Sequence, residues 1–278
     1  MTFQKRLSVV LFAGWLGMWS PMDRPAHAED LVPSDITIDD DSLFVIGNTL
    51  FTLYHELGHA LVDLLDLPVI GREEDAVDGF AAVTMIPETP DEVRDALIVA
   101  VADGWRVQGD LADDGGERAY WGEHALDEQR HFAIVCLMVG SDQDGFYDYA
   151  LDAGLPEERI ETCSEDFQLM RDSWERLLAP YEQPPHMAET VLGAPITVIF
   201  DEPMEQQLRL FDLIRRDGLL EAGVDRFAKR FVLPAPVTIR FAPCNDANAY
   251  WSPWEREITI CYELIDEYDA ILTEGMIR

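Results

Sequence analysis

The run His55-Glu56-Leu57-Gly58-His59 sets two imidazoles four residues apart, with a carboxylate beside the first. On an α-helix, positions four apart share a face, so both rings can grip one metal ion. The glutamate next to the first histidine then reaches a water held by that ion. Such an arrangement suits metal-assisted hydrolysis: the ion lowers the pKa of water toward about 7, and the carboxylate accepts the proton. Zinc is the expected ion, and Glu56 the expected general base.

A catalytic zinc takes three protein ligands and leaves one position open. The segment Gly71-Arg72-Glu73-Glu74-Asp75-Ala76-Val77-Asp78 supplies candidates for the third. Glu74 and Asp78 are four apart and face the same way on a helix. Glu74 is the expected ligand beside His55 and His59, the alternatives being its neighbours Glu73 and Asp75, one residue away, and Asp78, one turn on. Asp78 is expected to accept a hydrogen bond from a ligand histidine and so fix its tautomer.

Weaker signals lie further along. His124 and His131 are seven apart, with Asp127 and Glu128 between them on one helical face. His124 could polarise a scissile carbonyl or stabilise an oxyanion; the alternative for both histidines is an ordinary solvated or core-edge position. Arg130 could bind a substrate carboxylate or pair with the acidic surface. Tyr250 could offer its hydroxyl to an oxyanion, the alternative being simple packing.

These residues need elements to hold them. Ile46, Leu50, Leu53, Leu57, Leu61 and Leu64 recur at helical spacing and predict a helix over 43–66. Opposite them, Asn48, Thr52, His55, His59 and Asp63 form a polar stripe. Pro68 and Gly71 close that helix. Further helices are predicted over 72–86, 91–107, 123–139, 157–161 and 165–178, with loops at 110–117 and 140–145 and a linker at 180–185. Beyond residue 190 the β-branched runs at 195–200 and 237–241 read as strands. A helix is predicted over 204–230 between them, and 250–260 reads as a turn feeding another strand. The fold class is α+β: mainly helical over 43–185, α/β over 190–278, together one domain over 43–278.

The opening stretch has Lys5 and Arg6, an apolar run from Leu7 to Trp19, and Ala26-His27-Ala28. It reads as a signal peptide over 1–28, cleaved near Ala28, followed by an acidic lead over 29–42. The mature chain is therefore expected in the periplasm or secreted. No later run reaches the roughly 20 apolar residues that a membrane span needs. A formal charge of −34 argues against nucleic acid and anionic membrane partners, since phosphates are repelled. The expected partner is a peptide or protein substrate. Cys136, Cys163, Cys244 and Cys261 make an even set for an oxidising compartment. Proximity in the chain pairs Cys136 with Cys163 and Cys244 with Cys261.

The E-x-x-x-D arrangement resembles the gluzincin class of zinc peptidases, in which the glutamate is the third ligand and the aspartate orients a ligand histidine. More closely, HELGHAL at 55–61, LPVIGREEDAVD at 67–78 and CNDANAYWSPWEREITICYEL at 244–264 resemble a bacterial family of exported metallopeptidases. The resemblance implies a zincin-like fold and zinc-dependent peptide hydrolysis. In that class an edge strand beside the metal helix pairs with extended substrate. Residues 248–261 are the expected counterpart, folding back so that the C-terminal sheet packs over His55 and His59.

The sequence leaves two other readings open. A ferritin-like di-iron protein would use Glu56-x-x-His59 and Glu128-x-x-His131 with Glu73 or Glu74 as a further carboxylate. Export, disulfides and the β-rich last third speak against it. A catalytically silent zincin-fold binding protein is the other, against which the intact Glu56 counts.

Overall fold

The computed structural model describes residues 40–87, 89–112, 118–184, 192–216 and 218–277. The expected signal peptide and the lead up to residue 39 lie outside them. Helix α1, Asp40–Leu65, starts inside the expected acidic lead and buries far more than its leucine stripe. Ile46, Leu50, Leu53, Tyr54, Leu57 and Leu61 are at most 2% exposed, and His55 and Glu56 only 6%. A helix covered on nearly all sides is a core helix, and α1 is the axis around which the other elements pack. It ends where Asp66 turns to a φ of 50° and the Leu67 amide bonds back to the Val62 carbonyl. Pro68 then prevents resumption.

Helices α2 (Glu73–Met85) and α3 (Glu92–Ala112) lie directly against α1. Helices α4 (Asp127–Ser141), α5 (Gln143–Asp152) and α6 (Glu157–Leu178) complete the helical part. Strand β1 (Ile196–Phe200) follows, then α7 (Leu208–Arg216), α8 (Leu219–Arg230), β2 (Val237–Ala242), β3 (Ala249–Ser252), β4 (Glu257–Cys261) and α9 (Tyr262–Ile277). The sheet order is β1-β2-β4-β3, parallel except for the antiparallel β3–β4 hairpin. The observed class is thus α+β with a small four-stranded sheet. Val45 of α1, Val139 of α4, Phe227 of α8 and Ile258 of β4 belong to one buried cluster, so the helical and α/β parts share a core.

The hairpin turns the sheet toward α1: β3 and β4 both pack against that helix, and so does α9. Edge strand β3 is therefore the strand nearest the His55–His59 turn, with one edge paired to β4 and the other facing α1.

Several element boundaries differ from expectation for identifiable reasons. The helix expected from residue 123 starts at Asp127, where the Gln129 side chain accepts from the Leu126 amide and fixes the start. The expected loop at 140–145 contains the start of α5, because Asp142 caps it by accepting from the Gly145 amide at 3.0 Å. The expected break at 162–164 is absent: Cys163 is buried and disulfide-bonded, and that anchoring carries α6 across. Gly218, at a φ of 64°, splits the helix expected over 204–230. The C-terminal helix α9 was not anticipated. Of the expected loop at 110–117, residues 110–112 are the end of α3, and 113–117 lie outside the described residues.

Disulfides join Cys136 to Cys163 and Cys244 to Cys261, tying α4 to α6 and the β2–β3 connection to the end of β4. Among the described residues no helix is long and apolar enough to cross a membrane. The disulfides are consistent with an exported protein.

Candidate functional site

His55 and His59 emerge from the middle of α1 on the side facing α2. Helix α2 can come close because residue 58 has no side chain: a Cβ there would lie 2.9 Å from Val77 Cβ and Cγ1. The short α1–α2 connection then brings the first turn of α2, with Glu73, Glu74 and Asp75, to the histidines. Carboxylates are favoured in that turn by the positive end of the helix dipole.

Gly58→Ala is accordingly expected to destabilise the protein. The helix-propensity gain of about 1 kcal/mol is outweighed by an overpacking cost of about 1–3 kcal/mol, and Val77→Ala should relieve it. Urea unfolding of the single and double variants decides. A single variant as stable as the parent would show that α2 does not depend on this approach.

The histidines are oriented from behind. His55 Nδ1 lies 2.7 Å from Asp78 Oδ1 and His59 Nδ1 lies 2.8 Å from Glu73 Oε1. A carboxylate only accepts, so both imidazoles carry a proton on Nδ1 and, when neutral, present a bare Nε2 to the other side. Those two Nε2 atoms are 3.2 Å apart, and Glu74 Oε2 lies 3.2 Å from the first and 3.4 Å from the second. Ligand atoms about 2.0–2.1 Å from a tetrahedral zinc stand about 3.4 Å from one another, so the triangle has the edges that such an ion requires. Glu74 Oε2 is also buried without a well-directed hydrogen bond, an arrangement that is costly unless a cation completes it. His55, His59 and Glu74 therefore fit a divalent ion.

Asp78 is itself clamped. Arg130 of α4 donates to it through Nε at 2.7 Å and through an Nη at 2.6 Å. The guanidinium lies over the Trp105 ring of α3, 3.5 Å from its centroid. Four helices thus converge on the orientation of one imidazole.

Electrostatics follow from this packing. Burial pushes the Glu56 carboxyl up, against the pull of His55 and His59. The three imidazoles hold Glu74 far below the usual carboxylate range, His124 contributing most and burial opposing. Burial would lower His59, but its hydrogen bonds with Glu74 and Glu73 outweigh it and push the ring up to about 9. His55 moves upward for the same reason, with Asp78 and Glu74 overcoming burial. Asp78 stays low despite burial because His55 and Arg130 face it.

A cleft of about 490 Å³ opens over these groups, lined by His55, Glu56, His59, Glu74, His124 and the β3 residues Tyr250 and Trp251 among others. The Trp251 backbone amide donates to the Glu56 carboxylate, so the outer edge of β3 holds the side chain next to the first histidine. The Trp251 indole reaches Asp63 at 3.4 Å.

The expected residues are distributed as follows. His55, Glu56, His59 and Glu74 converge, Asp78 backs His55, and Tyr250 stands at the cleft rim. His124 also arrives, with Nε2 2.9 Å from Glu74 Oε2, but from the irregular stretch before α4 and not from a shared helical face with His131. His131 points into the core, its Nδ1 donating to the Ala102 carbonyl, while Glu128 pairs with Arg118. The second E-x-x-H thus stays apart from the first, leaving the di-iron reading without its second half. The polar stripe on α1 divides as well. Asn48 donates to the Phe44 and Ala100 carbonyls, and Thr52 pairs with Tyr268 of α9, so both serve packing. Arg130 is committed to Asp78 and is not placed to bind a substrate carboxylate.

Three groups escaped the sequence: Glu73 as the partner of His59, the Arg130–Asp78 clamp, and the Trp251 amide. Only Glu73 had a local signal, since it lies one residue from Glu74 in the same first turn.

No curated protein and no solved structure gives a significant match to the chain. Residues 28–178 and 201–276 match the family described as "Putative metallopeptidase", and with most of its length covered the chain belongs to that metallopeptidase family.

Proposed function

We propose that the protein is a zinc-dependent peptidase of gluzincin type, in which His55, His59 and Glu74 hold the metal and Glu56 is the general base. The observation that carries this reading is the triangle of two imidazole Nε2 atoms and one buried carboxylate oxygen, with edges of 3.2, 3.2 and 3.4 Å. Two imidazoles and a carboxylate form a donor set that suits zinc. Membership of the family implies a metal and a peptide or protein substrate.

A zinc ion bound there would acidify water and polarise a carbonyl. Glu56 accepts the proton of the attacking water and delivers it to the departing amine. Burial raises its proton affinity toward that task. Asp78 and Glu73 keep the protons of His55 and His59 on Nδ1, so that neither Nε2 is blocked. The edge of β3 not paired to β4, beside the Trp251 amide that Glu56 engages, offers backbone groups to an extended peptide in the manner of strand addition. Tyr250 and His124, both at the cleft, can donate to the oxygen on which negative charge develops.

Metal content decides the reading. The purified protein is expected to carry one zinc per chain, and both His59→Ala and Glu74→Ala to lose it. A protein that takes up no metal, or keeps it in both variants, sinks the assignment.

Proton release supplies a second check. In the metal-free protein His59 is held at about 9, above its unfolded value near 6.5. Its charged form therefore favours folding below about pH 6.5, and that contribution is lost as pH rises through about 9. A metal must displace this proton, so zinc affinity is expected to climb as pH rises toward about 9. Near pH 7, uptake should release at least about one proton, since His55 is raised as well. Calorimetry in buffers of different ionisation enthalpy measures it; uptake without proton release would mean that His59 is not a ligand.

A further inference from the structure

The edge between His55 Nε2 and Glu74 Oε2, 3.2 Å long, belongs to two sets of ligand atoms. His59 completes the first. His124 completes the second: its Nε2 stands 2.9 Å from the same Glu74 oxygen, and the ligand atoms of His55, Glu74 and His124 lie within 4.8 Å of one another. The His124 ring runs nearly parallel to that of His55, 18° apart, with centroids separated by 6.3 Å.

Packing does not explain why His124 is there. Its side chain is 54% exposed, and it belongs to the irregular stretch at 118–126, where Tyr120 and Trp121 are about three-quarters exposed. A half-exposed imidazole that nevertheless reaches a buried carboxylate oxygen is directed by the polar cluster and not by burial. Against Glu74 alone, His124 acts as a hydrogen-bond donor. With a cation on the His55–Glu74 edge, the same nitrogen has a lone pair to offer.

We propose that His124 is a fourth protein ligand of the resting metal centre; His59 is not in the group that His124 forms with His55 and Glu74, so closure by three imidazoles and one carboxylate requires the ion to draw the two rings together. Catalytic zinc sites keep one position for water or substrate, whereas four protein ligands make a closed site. With a metal bound, the open position would arise only on departure of His124, whose side chain is half-exposed and lies outside any helix or strand. Once released, the same imidazole is free to face the substrate oxygen. This inference rests on the metal-binding reading above.

The test compares the full chain with His124→Ala and His124→Gln, each loaded with cobalt(II), reading metal affinity by chelator competition and coordination by the visible absorption of the cobalt. Glutamine keeps an N–H for Glu74 but has no imidazole lone pair. Loss of groups that merely orient ligands costs about 10–100-fold in metal affinity, so loss of a ligand is expected to cost at least about tenfold. Both variants should show that loss together with an altered cobalt spectrum. Thermal unfolding of the metal-free forms should be nearly unchanged, as expected for a half-exposed position. A glutamine variant with wild-type affinity and spectrum would make His124 only a donor to Glu74 and overturn the proposal. Two variants indistinguishable from wild type would overturn it while leaving the three-ligand centre intact. A wild-type chain that binds no cobalt would overturn both.

Discussion

Glu56→Gln is expected to lower peptide hydrolysis by about 10²–10⁴-fold, the range for loss of a positioned general base, without lowering metal content. The substitution changes one atom and keeps an oxygen to accept the Trp251 amide, so the side chain can remain where β3 holds it. At 6% exposure the site has little room for solvent to substitute as the base. The ligand atoms of His55, His59 and Glu74 are untouched, which separates this variant from one that empties the centre. Steady-state hydrolysis of a peptide mixture, with zinc measured on the same preparation, gives the answer. Full activity with zinc bound would remove Glu56 from the mechanism. Lost zinc would assign it a structural part, and an inactive wild type with zinc bound would favour a silent binding role for the fold.

The part of this site that could be read from the sequence is the part set by short-range periodicity. Positions 55, 56 and 59 are related by one helical turn, as are 74 and 78, and a helix converts such spacings directly into a shared face. The strand at 257–261 was legible through its β-branched residues, but residues 249–252, expected as part of the same single strand, form a separate strand that pairs back on it. What could not be read depends on packing between elements. Arg130 lies 52 positions from Asp78, and only the α2–α4 contact brings them together. Trp251 acts through its backbone amide, which no side-chain pattern encodes. His124 looked helical by spacing, but the Gln129–Leu126 hydrogen bond starts α4 three residues later. That local detail turns a helix-face residue into a loop residue able to reach Glu74. Asn48 and Thr52 misled for the opposite reason: they are polar on the correct stripe, yet their partners are the Ala100 carbonyl and Tyr268, contacts that depend on α3 and an unanticipated α9.

Arg130→Met should lower stability by about 3–5 kcal/mol, the cost of leaving a buried charge without its partner. The side chains of Arg130 and Asp78 are 10% and 14% exposed, so water screens the pair weakly, and methionine retains much of the aliphatic volume over Trp105. Removing Arg130 leaves Asp78 with His55 Nδ1 as its facing donor at 2.7 Å. Asp78→Asn makes the complementary error, since Arg130 then loses its counter-charge in the same enclosure. If the clamp behaves as a unit, the double variant loses much less than the sum of the two, because neither charge remains to be buried alone. The metal responds differently from the fold. Asp78 orients the His55 ring, so Asp78→Asn is expected to weaken zinc binding by about 10–100-fold even where the double variant recovers stability. Urea unfolding of the metal-free proteins measures the first effect and chelator competition the second. Additive losses in stability would show that Arg130 and Asp78 do not act as a pair. Unchanged zinc affinity in Asp78→Asn would leave the buried clamp a purely structural device, with the orientation of His55 determined elsewhere.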